Sequence, residues 1–265
     1  MIPVIKWTLW QRRWFIFWWT FGIAAFMVIS LAFYPTFRDQ AAQFNQVLAH
    51  LSTTAKALFT DTGSFSTPED FLSGRVFYLM LPLLLSIMSV IVGSSIIAKE
   101  EESGTLELLL ARPLSRARLI VAKAIAAIII LTSVAIAALV TALLVGHLVH
   151  LGVSVINIEV ATLFAAILSL LFGAVAFMIS SIGRSARAAG AGIAAFIALG
   201  SYIIVSLSSV VSWLRWPSKV LPHNYYHPSE ILYGNYSWHN AVGLLLATLI
   251  LGVFAWRVFD RRDLG

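Results

Sequence analysis

Six unbroken apolar runs, at residues 14–34, 76–98, 119–145, 160–182, 188–211 and 240–259, limit what this chain can become. Each reaches the length of about 20 residues that a helix needs to cross the hydrocarbon core of a bilayer. Lipid offers no partner to a free N–H or C=O, so a spanning segment pairs its backbone internally as a helix or closes into a barrel. A barrel needs short segments that alternate polar and apolar, and these runs are continuous. The hydrophobic fraction is 60%, above the roughly 45–50% of soluble domains. The expectation is one all-α polytopic membrane domain over residues 1–265, with six transmembrane helices and no room for a soluble catalytic domain.

The first run is too long for the core of a signal peptide, and no small-residue cleavage site follows it, so it is expected to remain as a span. Cysteine is absent, which removes disulfides and thiol chemistry.

An even number of spans puts both termini on one side. If that side is cytoplasmic, it holds Lys6, Arg12, Arg13, Lys99, Arg112, Arg116, Arg118, Lys123, Arg184, Arg187, Arg257, Arg261 and Arg262. The other side holds Arg38, Lys56, Arg75, Arg215 and Lys219. Thirteen against five is a positive-inside bias, and it predicts cytoplasmic termini in a multi-pass protein of the cytoplasmic membrane. The net charge of +6 then reflects topology and a match to anionic lipid headgroups. The basic residues are scattered over loops and form no single patch, which argues against a nucleic-acid partner.

Residues 1–13 mix Trp7 and Trp10 with Lys6, Arg12 and Arg13, a composition that suits the membrane interface. An amphipathic interfacial helix running into span 1 is expected there. In the outer loop 35–75, Phe37, Ala41, Phe44, Leu48, Leu51, Ala55 and Leu58 recur at steps of three and four, the face of an amphipathic helix. Ser66-Thr67-Pro68-Glu69-Asp70 reads as a helix start, with a hydroxyl cap, a proline in the first turn and acids at the positive dipole end. The loop is read as a small folded cap, or else as a segment lying on lipid. Residues 212–239 are rich in Trp, Tyr, His and Pro, and suit the outer interface, with short helices dipping partway in. At the start of span 5, small residues four apart around Gly190 predict a closely packed helix face, within the chain or across a dimer.

No Asp, Glu, Lys or Arg lies near the centre of a predicted span, so the chain lacks the buried ionisable groups that ion-driven pumps use. It also lacks G-x-x-x-x-G-K-[ST] and cannot cradle nucleotide phosphates by that route. The one dense charged segment, 99–118, joins spans 2 and 3. Glu100, Glu101, Glu102 and Glu107 stand near one end, and Arg112, Arg116 and Arg118 near the other. Gly104 supplies backbone freedom for a turn. Pro113 disfavours helix at Arg112 and can open a new one. A helix–turn–helix with complementary charge suits a docking surface, because such charge sets partner choice and register.

Glu102-Ser103-Gly104-Thr105-Leu106-Glu107-Leu108-Leu109-Leu110, then Arg112-Pro113-Leu114-Ser115-Arg116, then Lys123, closely resembles the hallmark of type-2 ABC exporter permeases. Residues 180–187 resemble the family's short inner loop, and residues 259–264 its tail. The resemblance implies a six-span half-transporter with a cytoplasmic coupling helix between spans 2 and 3. It assigns Glu100, Glu101, Glu102, Gly104, Thr105, Glu107, Arg112, Pro113, Ser115, Arg116 and Lys123 to coupling with the ATPase. The implied partners are two copies of a soluble ABC ATPase carrying ATP and Mg, a second permease copy or a paralogue, and membrane lipid. No cofactor is expected in this chain. The implied function is ATP-driven export of an amphipathic or lipid-like substrate, such as a drug, antibiotic or glycolipid.

Two other classes remain in view. His223, His227 and Glu230 have H-x3-H-x2-E spacing, which on a helix could bind zinc; Pro222 and Pro228 interrupt that helix, and the three are weak candidates. An intramembrane enzyme would need a motif such as H-E-x-x-H or G-x-S-x-G, and neither is present. Ser169 and Ser201 read as helix-packing groups. A non-transporting scaffold would not need so charged a loop.

Overall fold

The computed structural model describes residues 1–102, 115–183 and 186–261. Among them every regular element is helical, and six helices are long and apolar enough to cross a membrane. Span 1 is the helix Arg13–Ala32, continued by a short helix Tyr34–Asp39. Span 2 is built from Pro68–Leu72, a π turn Ser73–Phe77 and Met80–Ser95. Spans 3 to 6 are Arg116–Leu148, Val155–Ser180, Ala186–Leu207 and Trp238–Asp260.

Several helices run past their apolar runs. Span 2 begins at Pro68 rather than 76, because the Thr67 hydroxyl caps it by accepting from the Asp70 N–H at 3.1 Å. Span 3 begins at Arg116 rather than 119, because the Ser115 hydroxyl accepts from the Arg118 N–H at 3.3 Å. Its 33 residues reach about 50 Å at ~1.5 Å per residue, well beyond the hydrocarbon core, so this helix tilts or extends past the membrane surface.

Spans 2 and 4 form the centre. In each, 61% of the most apolar window is buried, against 17–33% for the other four, whose outward faces are left for lipid. The two touch at glycines. A Cβ on Gly93 would overlap the Gly173 carbonyl, and one on Gly173 would overlap Ser89. Small residues let helix backbones approach this closely, which replaces the hydrophobic drive that lipid removes. Serines join the same pair: Ser86 donates to Ser169 at 3.2 Å, and Ser169 to the Ala165 carbonyl at 2.7 Å. Gly190 packs span 5 on span 4, where an added Cβ would meet Ser180 at 2.7 Å, whereas Gly192 faces open space. The small-residue face of span 5 is therefore used, at least at Gly190, inside the chain.

The segment 35–75 is a folded cap seated on the bundle. Its expected single helix is broken into Tyr34–Asp39, Ala41–His50 and Thr53–Phe59. The break at Leu51 arises because Ser52 turns extended and caps the next helix, its hydroxyl accepting from the Ala55 N–H at 3.2 Å. Phe37 still meets Phe44 and Phe71, each with ring centroids 4.7 Å apart, and Leu48 is buried, but Phe44 and Leu51 of the same periodic face stay exposed. Hydroxyls tie the cap down: Tyr78 bonds the Ala57 carbonyl at 2.8 Å, and Tyr202 donates to the Leu58 carbonyl.

The segment 212–239 folds back between spans 4 and 5 as short helical turns. His223 stacks on Phe172 with ring centroids 5.5 Å apart, and its N–H donates to Ser201 at 3.1 Å. Ser201 lies six residues before the end of span 5, about 9 Å along the helix at ~1.5 Å per residue, so the segment dips below that end.

The glycine contact sets the first test. Gly93→Val and Gly173→Val are each expected to destabilise the chain by about 1–3 kcal/mol or more, because Gly93 faces the Gly173 carbonyl and Gly173 faces the Ser89 hydroxyl with the Ser89 carbonyl close behind it. Gly243→Ala and Gly252→Ala, which face open space, leave stability nearly unchanged. Thermal unfolding of the detergent-solubilised protein, followed by loss of the monodisperse peak, reads the difference.

Candidate functional site

The N-terminal helix Ile2–Gln11 forms because its side chains divide into two faces. Val4 and Thr8, four residues apart, are buried, while Trp7 and Trp10 are exposed. The buried face packs on the foot of span 3. The helix breaks at Arg12, where the chain turns into span 1.

At this end of the bundle, span 2 continues through a short helix Ala98–Glu102, and span 3 starts at Arg116. These two helices are the stems of the charged segment. Lys123, on the inward face of span 3, is only 1% exposed, and Glu100 only 4%. The Lys123 ammonium bonds the Glu100 carboxylate, and also the Thr8 hydroxyl at 2.8 Å. The Thr8 hydroxyl in turn donates to the Val4 carbonyl at 2.8 Å, so it is satisfied both as acceptor and as donor. One buried ammonium thus holds three elements together: the N-terminal helix, the stem leaving span 2 and the start of span 3.

A second cation borders the pair. Arg12 donates to Ser95 at 2.8 Å, and Ser95 donates to the Ile91 carbonyl at 2.5 Å. Burial lowers the pKa of the Arg12 guanidinium, with the Glu100 carboxylate acting against this and Arg187 adding to it. Charges from Arg12, from Glu100 on the stem after span 2, from Lys123 on span 3 and from Arg187 at the start of span 5 therefore meet at this end of the bundle. Buried charges of this kind persist only when paired and hydrogen-bonded. Their contribution is geometric: neither stem can rotate without stranding an ammonium or a carboxylate.

The residues assigned to coupling divide accordingly. Glu100, Glu101 and Lys123 are buried within the chain, and the Lys123–Glu100 pair joins the two stems. Ser115 caps span 3, which gives a physical reason for a serine at that place, and Arg116 opens the helix. The side chain of Glu102, together with Gly104, Thr105, Glu107, Arg112 and Pro113, lies outside the described residues, as do residues 184–185 and 262–265. Thr8, Arg12 and Ser95 were not singled out as site residues by sequence reasoning. The available signal was slight: one threonine four residues after Val4 on an apolar face, and a serine pair ending span 2.

His223, His227 and Glu230 do not form a ligand set. Pro222 and Pro228 each open a separate short helical turn, and the His223 Nδ1 lies 3.0 Å from the Ser201 hydroxyl. Among the described residues no group of three His, Asp or Glu side chains is placed to hold a metal ion. Burial keeps the His223 imidazole well below its ordinary range, and Ser201 can accept from the His223 N–H while donating to Nδ1. Ser169 is bound to Ser86 and to backbone carbonyls of its own span and span 2, a packing role.

Six apolar helices, each long enough to cross a bilayer, define a multi-pass membrane protein. Residues 12–264 match the profile of the ABC-2 family transporter proteins, and the chain belongs to that family of membrane permeases. Members of the family generally work with an ABC ATPase. Comparison with curated proteins gives no match.

Two expectations follow. Lys123→Met leaves Glu100 buried without its ammonium and costs about 3–5 kcal/mol, whereas Lys123→Met combined with Glu100→Gln recovers most of that loss. Thermal unfolding of single and double variants measures it. For His223, the folded value lies below the unfolded one, so its contribution is complete above about pH 6.5 and declines as pH falls toward the folded value. The melting temperature is expected to drop from about pH 6.5 downward, and less steeply in His223→Gln.

Proposed function

We propose that this chain is the membrane half of an ATP-driven exporter in the cytoplasmic membrane, with both termini and the 99–118 segment in the cytoplasm. Two soluble ATPase subunits, which carry the ATP and Mg, seat on that segment in each half of a pair made with a second copy or a paralogue. The single observation that carries the reading is the buried Lys123–Glu100–Thr8 junction. It grips both stems of the charged segment, so a push on that segment moves spans 2 and 3 together and is not absorbed by a hinge. The positive-inside bias supports the orientation.

ATP binding closes the ATPase pair, shifts the segment, and rocks the bundle through span 2. The outward faces of span 2 (Met80, Ile87, Ile91) and span 5 (Phe196, Leu199, Ile203) are exposed and apolar. A cargo path between two copies, lined by these faces, carries no fixed charge. That favours an amphipathic or lipid-like substrate, such as a drug, antibiotic or glycolipid, over an ion.

The test is co-expression with a soluble ABC ATPase, taken from the open reading frames flanking this chain's gene wherever one is found there. Glu102→Lys with Glu107→Lys is expected to weaken ATPase binding by about thirtyfold or more, the scale of a lost docking charge. Extrusion of a lipophilic dye should fall with it, while the bundle still elutes as a folded protein. Full binding and extrusion in that variant would end the coupling assignment.

A further inference from the structure

Beneath the cap, at the end of the bundle away from the coupling segment, lies a half-open cavity of about 380 Å³. That is at the small end of ligand pockets, roughly 300–1,000 Å³, and suits one alkyl chain. Phe33, Phe37, Phe44, Val47, Leu51 and Phe59 supply apolar walls. The chain does not cover this lining itself: Val47 is 63% exposed and Phe59 59%. Grouped exposed apolar surface of this kind marks a binding site more often than scattered single residues do.

One cation stands among these walls. The π turn Ser73–Phe77 carries Gly74 and Arg75 to the cavity, and such turns are concentrated at functional sites. Gly74 must be small, because a Cβ there would meet the Phe65 ring at 2.5 Å. Arg75 is exposed, and no acid pairs with it among the described residues. Of the nearby acids, Asp61 accepts from Ser73 and from the Ser229 N–H, and Asp70 from Ser64 and Tyr233, while Glu69 makes no ion pair with Arg75. The wall formed by Phe33 is the end of span 1, so the cavity adjoins the membrane surface.

We propose that this cavity binds a single-chain anionic lipid, with its alkyl chain under the cap helices and its acidic head on Arg75. A peptide would bring backbone N–H and C=O groups to phenylalanine walls that cannot bond them, at a cost of about 1–3 kcal/mol each. A lipid brings methylenes and one charged end, which matches a wall with one cation. The cap is braced internally by Asn45, which accepts from the Phe65 N–H at 3.0 Å, and is tied to the bundle by Tyr78 on the Ala57 carbonyl and Tyr202 on the Leu58 carbonyl. The space is therefore a slot of fixed width and not an open face for a second copy. The inference goes beyond the exporter reading and is tested on the chain alone, with no ATPase present, so either can fail without the other.

The full chain in neutral-lipid nanodiscs is labelled with a diazirine analogue of palmitate, and the labelled peptides are mapped by mass spectrometry. Saturable labelling is expected within residues 33–75, competed by palmitate about fivefold better than by hexadecanol, the scale of one partly exposed ion pair. Arg75→Glu should erase the preference for palmitate. Val47→Trp, at an exposed position that leaves folding intact, should block the slot and bring labelling down to that of the lipid-facing side of span 6. Labelling spread over the spans by exposed area, equal competition by hexadecanol, stronger competition by a two-chain phosphatidylglycerol, or indifference to both variants would each overturn the proposal.

Discussion

The backbone contact between spans 2 and 4 is the constraint on which the rest is mounted. Lipid tails are as apolar as leucine, so helices in a membrane gain little by burying apolar surface on one another. What holds two of them is closeness, and Gly93 against Gly173 brings them to contact distance at the backbone. Span 2 is thereby a fixed post. Its far end carries the π turn, Arg75 and the floor of the cap; its near end carries Ser95 and Glu100. Whatever displaces one end of that post is felt at the other.

The two ends solve opposite electrostatic problems. At the near end, charges are buried and neutralised by one another, so that Lys123, Glu100 and Arg12 act as rivets in a poorly polarisable setting. At the far end, uncharged hydroxyls do the fastening: Tyr78, Tyr202 and Tyr226 each reach a backbone carbonyl, of Ala57, Leu58 and Phe77 in turn. A buried ion pair is specific in partner and costly to break, whereas a neutral hydrogen bond contributes about 0.5–1.5 kcal/mol net.

Much of the architecture was legible in the sequence because the bilayer imposes a length. Apolar runs of about 20 residues marked all six helices, and hydroxyl caps at Thr67 and Ser115 moved the starts of spans 2 and 3 outward, from 76 to 68 and from 119 to 116. Of the cap's apolar face, Phe37 and Leu48 pack inward while Phe44 and Leu51 stay exposed, and its splitting at Ser52 was not legible, because a serine on the polar side of a helix looks the same whether it continues the helix or ends it. The junction was half visible. Lys123 belongs to a recognisable motif, but no spacing rule connects residue 8 to residue 123, and the pairing exists only once three elements have packed. Burial of Glu100 and Glu101 was hidden for the same reason: a run of acids beside a span reads as solvated until a lysine comes to meet it from another helix.

The bond from Thr8 to Lys123 also changes the standing of the chain's opening residues. A tryptophan-studded helix at the head of a membrane protein is easily taken for a detachable float, a place to cut or to hang a tag. Here it supplies an oxygen that keeps a sunken lysine solvated. Clipping the first ten residues would therefore not trim a tail; it would open the bundle's foundation to water at the corner where the two stems meet.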